Sequence, residues 1–312
     1  MRIFCKKILC FGILFAVICV GMDFLSLRNP WKEIIAKQTR SEEYISDSVG
    51  SDEIKPYIEK VRLRDRTTIL ILGDSVCNKM FGSLQDLNND ICIAGTNSAI
   101  TMAGQYILAK EYIENHENAS AIYLFLLPGS LEVTFTTTLG YQYTVMPFVE
   151  TNTLSILDIE TITKMQSVYG KTFMKRNVVE IIDQSAVNRK LYLNLLNQYQ
   201  EDYHQISRYE IADQYLKKIY EICDQKGIEL YLIPGPVAET QKEYTKQKMQ
   251  DYAATWMYSA FPDYAEKILF IPDMELPDGV HFGGEAAVQS HYNDIIKILF
   301  EDTPLIRKIR FE

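Results

Sequence analysis

Five short apolar runs rich in β-branched and aliphatic residues punctuate the sequence, and the first three stop at glycine or proline. They are 67–72 before Gly73, 91–94 before Gly95, 121–127 before Pro128, and then 228–233 and 268–271. Unbroken apolar runs of this length mark strands buried on both faces, as in parallel sheets. Helical periodicity lies between them. Ala99 to Asn115 is helical in pattern, with Ile100, Ala103, Ile107, Ala109, Tyr112 and Ile113 supplying its apolar residues, and a last helix is expected over about 285–300. Strands alternating with helices predict an α/β domain whose five-stranded parallel sheet is covered on both faces. The stretch 131–226 is too long for a single crossover and reads as a helical insertion over the sheet edge. Its Tyr-rich start, with Tyr141, Gln142 and Tyr143, serves either packing or a binding wall. No internal repeat of solenoid period is present.

The domain is expected over 67–312, because the first 66 residues read differently. Arg2, Lys6 and Lys7 precede an uncharged run from Ile8 to Met22, continued by Phe24, Leu25 and Leu27. A basic flank before an apolar stretch is the pattern of a signal peptide or anchor. No small-x-small cleavage site follows, so residues 1–28 are expected to be an uncleaved transmembrane anchor with its N-terminus inside. The alternative is a buried N-terminal helix of the domain. Residues 29–66, charged and polar, read as a juxtamembrane spacer with some helix. The bulk of the chain is then expected outside the cytoplasm, held to lipid through the N-terminal helix.

Charge sharpens that division. The whole chain carries −9, yet Arg2, Lys6, Lys7 and Arg28 against Asp23 make the anchor +3, which leaves −12 for the rest. An acidic body excludes the basic footprint of a nucleic-acid binder. It also favours a neutral glycan over a strongly anionic polymer as a partner. Cys77, Cys92 and Cys223 are the cysteines of the body. Their odd number and wide spacing give neither a disulfide framework nor a metal pair, so they read as small buried hydrophobes. His116, His204 and His291 lack metal spacing, and no glycine-rich phosphate loop occurs. No metal and no cofactor are expected.

In open parallel sheets the ligand site lies beyond the carboxyl ends of the strands. After the first run stands Gly73-Asp74-Ser75, where a helix is expected to begin. Asp74-Ser75 is by itself an ordinary helix N-cap. It also places a hydroxyl and a backbone N–H together at a strand-to-helix turn. After the fifth run comes Asp278-Gly-Val-His281, directly before the last helix. At this spacing the Asp278 carboxylate can hold one imidazole nitrogen of His281, leaving the other to take a proton from Ser75. Ser75, His281 and Asp278 are thus the candidate catalytic nucleophile, base and orienting acid.

The segments Ile69-Leu-Ile-Leu-Gly-Asp-Ser75 and Asp278-Gly-Val-His281 resemble the first and last sequence blocks of the SGNH (GDSL-like) hydrolase superfamily. The likeness covers about 67–130 and 227–300. It implies a flavodoxin-like three-layer α/β/α fold with strand order 2-1-3-4-5, and the roles just given to Ser75, His281 and Asp278. The middle blocks depart from the family. The loop after the second run, Gly95 to Met102, lacks the second-block glycine, and Ser130 stands where the third block carries asparagine. By position, Asn97 and Ser130 are the candidate oxyanion or substrate donors. A weakened oxyanion hole points to specialised transfer or slow hydrolysis rather than a broad esterase. The tethered layout resembles the branch associated with O-acylation of extracellular glycans and teichoic acids. The expected function is a membrane-anchored serine esterase or O-acetyltransferase acting on an extracellular carbohydrate polymer or acyl ester. The alternative is a weakly active or inactive binding subunit that serves a membrane O-acyltransferase partner.

Overall fold

The computed structural model describes residues 54–183, 185–200 and 207–311. The expected anchor, most of the spacer and His204 lie outside the described residues. No helix among the described residues is long and apolar enough to cross a membrane.

The chain begins with α1 (Ile54–Arg62), then β1 (Ile69–Gly73), α2 (Ser75–Phe81), β2 (Ile91–Gly95), α3 (Met102–Asn115) and β3 (Ala121–Leu126). A helical stretch follows: α4 (Met146–Glu150), α5 (Ile159–Tyr169), α6 (Arg176–Asp183) and α7 (Ala186–Gln200). The chain returns through α8 (Glu210–Lys226) to β4 (Glu229–Pro234) and β5 (Val237–Ala238). It ends through α9 (Lys242–Tyr252), α10 (Trp256–Ala260), β6 (Phe270–Ile271) and α11 (Gln289–Leu299). The main sheet is parallel with order β2-β1-β3-β4.

Each sheet face has its own core, as strand alternation requires. Leu70, Leu72, Ile122 and Leu124 point into one core shared with α1, α3 and α8. Ile69, Ile71, Tyr123 and Phe125 point into the other, shared with α2 and α11. Helices therefore cover both faces, an arrangement compatible with a three-layer α/β/α fold. Cys77, Cys92 and Cys223 are buried and unpaired, in keeping with their reading as small hydrophobes.

Three expectations change. The main sheet has four strands, not five. The run 268–271 contributes only Phe270–Ile271, which pairs with Val237–Ala238 in a separate two-stranded sheet. The reason lies in Pro234-Gly-Pro236, whose two prolines carry no N–H, so the β4 ladder stops and the chain turns away before pairing resumes. Second, part of the expected spacer belongs to the body. Ile54, Ile58 and Val61 of α1 are buried in the core, and Arg62 makes a two-pronged contact with Glu111 of α3. Third, α8 is a crossover helix on the sheet rather than part of a cap, with Tyr215, Leu216 and Ile219 fully buried.

The edge strand β2 is shielded by side chains. Gln85 bonds Ile91 O at 2.8 Å and Ile93 N at 2.7 Å, while Lys60 Nζ donates to Ile93 O at 2.6 Å. These contacts occupy polar groups that would otherwise invite another strand.

Candidate active site

The ends of β1 and β2 approach α2 so closely that both must be glycine. A Cβ on Gly73 would lie 2.1 Å from Phe125 O and 2.5 Å from Cys77 Cβ. One on Gly95 would lie 2.7 Å from Asn78 N. This close seating brings the first residue of α2, Ser75, to the carboxyl edge of the sheet.

Asp74 fixes the turn. Its side chain caps α2 by accepting from Val76 N at 3.0 Å. Its second oxygen accepts from Leu127 N at 3.1 Å and from Ser130 Oγ at 2.8 Å. The carboxylate thereby ties the end of β1 to the end of β3. Asp74 is 1% exposed, and that burial pushes its carboxyl above the ordinary range despite the donors turned toward it.

On the far side of the site, the loop after β6 folds back on itself. Glu275 O accepts from Gly283 N at 3.0 Å, closing the loop that contains Asp278 and His281. Gly279 adopts φ +78°, a left-handed conformation that costs glycine little. Asp278 Oδ1 accepts from His281 N at 2.6 Å and from Val280 N at 3.0 Å. Its Oδ2 lies 2.7 Å from His281 Nδ1. Partial burial alone would raise the Asp278 carboxyl, but these hydrogen bonds and the nearby imidazole outweigh it and hold the group below its ordinary range.

His281 Nε2 lies 2.7 Å from Ser75 Oγ. A carboxylate only accepts, so the Asp278 contact assigns the proton to Nδ1 and leaves Nε2 as acceptor for the serine hydroxyl. Ser75, His281 and Asp278 therefore form one continuous hydrogen-bonded row. The His281 side chain is 23% exposed and that of Asp278 57%. At that exposure the carboxylate acts chiefly by orienting the ring, because solvent screens its charge.

The two donor candidates take different places. Asn97 follows β2, and its Oδ1 accepts from Ser75 N at 3.0 Å. The backbone N–H that stands with the Ser75 hydroxyl at this turn is thus engaged by Asn97, and the amide orientation turns Nδ2 away from that N–H. Ser130 is not brought to the row. It is buried, and its hydroxyl donates to Asp74, so the expectation that it lines the site as a donor is corrected. The Ser130 hydroxyl is drawn inward because a buried carboxylate with a free lone pair is a stronger acceptor than solvent at the loop surface.

Two contributors were not legible in advance. Asp74 reads in sequence as a plain N-cap, and nothing local shows that its second oxygen spans to β3. His291 lacks metal spacing and carries no local motif in the sequence, yet it contacts Glu275 at 2.8 Å, fastening the loop of Asp278 and His281 to α11. Phe282 packs against His291 and Tyr292 at ring distances of 5.5 and 5.2 Å. His116 is structural: its Nδ1 meets Tyr112 O at 2.9 Å, and the ring stacks on Tyr112.

Among the described residues, no group of three or more His, Cys, Asp or Glu side chains could hold a metal ion. A cavity of about 250 Å³ is lined by Ser98, Gln142, Glu150, Asp183 and Arg189 among others. It does not include the serine row. Searches against protein-family models, curated proteins and solved structures found no match for this chain.

Proposed function

We propose that the chain is a membrane-tethered serine acyl-transfer enzyme of the SGNH hydrolase type, acting on an extracytoplasmic glycan. The observation that carries this reading is the row from Ser75 through His281 to Asp278, with both side-chain contacts at 2.7 Å. The parallel order β2-β1-β3-β4 and the position of Ser75 after β1 also support it. A fifth strand in the flavodoxin-like order is not needed for that placement.

In this mechanism the Ser75 hydroxyl attacks an acyl carbonyl, and His281 Nε2 takes its proton. The leaving alcohol then receives that proton as the acyl-oxygen bond breaks. Asp278 holds the ring and stabilises the imidazolium. The acyl-Ser75 ester is released to water in an esterase, or to a sugar hydroxyl in an O-acetyltransferase. His281 activates either acceptor by removing its proton. Turnover of p-nitrophenyl acetate with and without a neutral oligosaccharide separates the two outcomes.

The test of nucleophilicity needs no knowledge of the substrate. Treatment with a fluorophosphonate followed by peptide mass spectrometry is expected to place one adduct on Ser75, absent in a folded His281→Ala variant. A folded wild-type chain that takes no adduct would refute the enzyme reading. It would favour the second one, a binding subunit working with a membrane O-acyltransferase. Two observations favour that alternative: Ser75 N–H is engaged by Asn97, and the Ser130 hydroxyl by Asp74.

The loop fastening has a smaller, separable effect. Glu275→Ala removes the contact to His291 while sparing the backbone bond from Gly283. Turnover is expected to fall by about tenfold with KM little changed, since small displacements of a reacting group are costly. Glu275→Gln, which keeps an acceptor for His291, is expected to recover most of that loss in the same steady-state assay.

A further inference from the structure

We infer that α6 and α7 form a surface that docks on an anionic lipid bilayer. The inference rests on the tethered reading only for the bilayer's proximity, and it is independent of the chemistry at Ser75. On α7, Val187, Leu191 and Leu195 are 71%, 59% and 55% exposed. Residues four apart advance only about 40° around a helix, so these three form one continuous stripe. The face that α7 uses to join the core is different: Tyr192 and Leu196 are buried, about 100° around the helix from Leu191 and Leu195. Ile181 of α6 is also 54% exposed, although Val179 and Ile182 beside it are buried. Single exposed apolar residues are ordinary, but a stacked stripe on one helix leaves a face to cover.

Charge says what covers it. Within 171–196 stand Lys171, Lys175, Arg176, Arg189 and Lys190 against only Glu180 and Asp183, in a chain whose overall charge is −9. Arg176 is paired with Glu180 and Arg189 with Asp183. Lys171, Lys175 and Lys190 are exposed and form no ion pair among the described residues. An exposed apolar stripe flanked on its own helix by Lys190, with two more unpaired lysines in the segment leading into α6, is the composition of a helix that lies in the headgroup region of an anionic bilayer. Asp183 and Arg189, the latter on the side of α7 away from the stripe, share a cavity with Ile54 and Lys55, the start of the described chain, so the same pair of helices adjoins the point from which 29–53 lead to the predicted anchor. An aqueous neutral glycan would leave both the stripe and the three charges unmatched.

The test uses the full chain with a genetically encoded fluorescent amino acid replacing Leu191, or Lys226 as a control far along the sequence on α8. The chain is mixed with phosphatidylcholine vesicles, with or without phosphatidylglycerol, in which brominated acyl chains act as quenchers. Quenching at 191 is expected to exceed that at 226 by at least about twofold, only when phosphatidylglycerol is present. It is expected to vanish in a Lys171→Glu, Lys175→Glu, Lys190→Glu variant of unchanged circular dichroism. Flotation reads the tether separately. A chain that floats while position 191 stays unquenched keeps the tether and overturns the docking surface. A chain that floats only until the three lysines are reversed keeps the docking surface and overturns the tether. Failure to float at all overturns both. Shielding of 191 that requires added membrane protein, and not lipid alone, assigns the stripe to a protein partner and overturns the proposal.

Discussion

Replacing Ser75 with alanine is expected to lower acyl-transfer turnover by at least about a thousandfold, to the level that substrate binding alone sustains. The fold should survive the change. The substitution removes the hydroxyl bond to His281, whereas the bond from Ser75 N to Asn97 is made by the backbone and persists. Ser75 is only half-buried, so the expected loss of stability is within about 1 kcal/mol. His281→Ala should be nearly as damaging, because the imidazole is the only proton acceptor in contact with the hydroxyl among the described residues. The double variant should be little worse than either single one, as expected of groups that act in one step. Steady-state kinetics on the three variants, with urea midpoints measured beside them, check the set. Unchanged turnover in a folded Ser75→Ala chain would remove Ser75 from the chemistry and leave the binding-subunit reading standing.

The largest effect on stability is expected at Asp74 instead. Asp74→Ala removes the cap of α2 and strands Val76 N, Leu127 N and the Ser130 hydroxyl, each of which now donates to the carboxylate. With one cap gone and buried donors left unpaired, the cost is about 3 kcal/mol. It should appear as a lower urea midpoint with an unchanged slope. Asp74→Asn should lose less, since Oδ1 can still accept from Val76 N; the new amine is itself a donor, so it leaves Leu127 N unpaired and can only be met by the Ser130 hydroxyl turning to accept. Activity should fall with stability in both variants, because Asp74 sets the turn from which Ser75 projects.

Asp74 and Asp278 also oppose each other with pH. Burial raises the folded carboxyl of Asp74 above its ordinary 3.8, so the folded chain holds a proton that the unfolded chain has released. Its contribution to stability is therefore present at low pH and is lost as pH rises from 3.8 through the folded value. Asp278 is the reverse. Its folded carboxyl lies below 3.8, so its contribution is present above that value and lost as pH falls through the folded one. Urea midpoints measured across the acid range should show the first component missing in Asp74→Asn and the second missing in Asp278→Asn.

How much could be read beforehand follows from the range of each interaction. The four main strands were legible because each is a short apolar run, and the first three end at glycine or proline, signals contained within a few residues. Gly73-Asp74-Ser75 and Asp278-Gly-Val-His281 were legible as candidates for the same reason: the turn and the Asp-His spacing are local. The outcome for 268–271 was not, since a strand run does not say which edge it joins, and the prolines at the end of β4 and just beyond it decided that. The place of α1 was not legible either. Its polar composition masks Ile54, Ile58 and Val61, which count only once a core is present to receive them.

Local patterning alone thus determined the alternation of strands and helices, the carboxyl-edge position of the candidate site and the three residues proposed at its centre. Only the tertiary structure decided that Ser75 and His281, 206 positions apart, meet. It also turned Ser130 to Asp74 rather than toward the site, set Asn97 on the backbone N–H of Ser75, and made His291 a fastening for the loop. The physical reason is the same in each case. Propensity and periodicity act over one turn or one strand, whereas a hydrogen bond between distant segments exists only after the crossovers and sheet register have brought its two ends to within about 3 Å of each other.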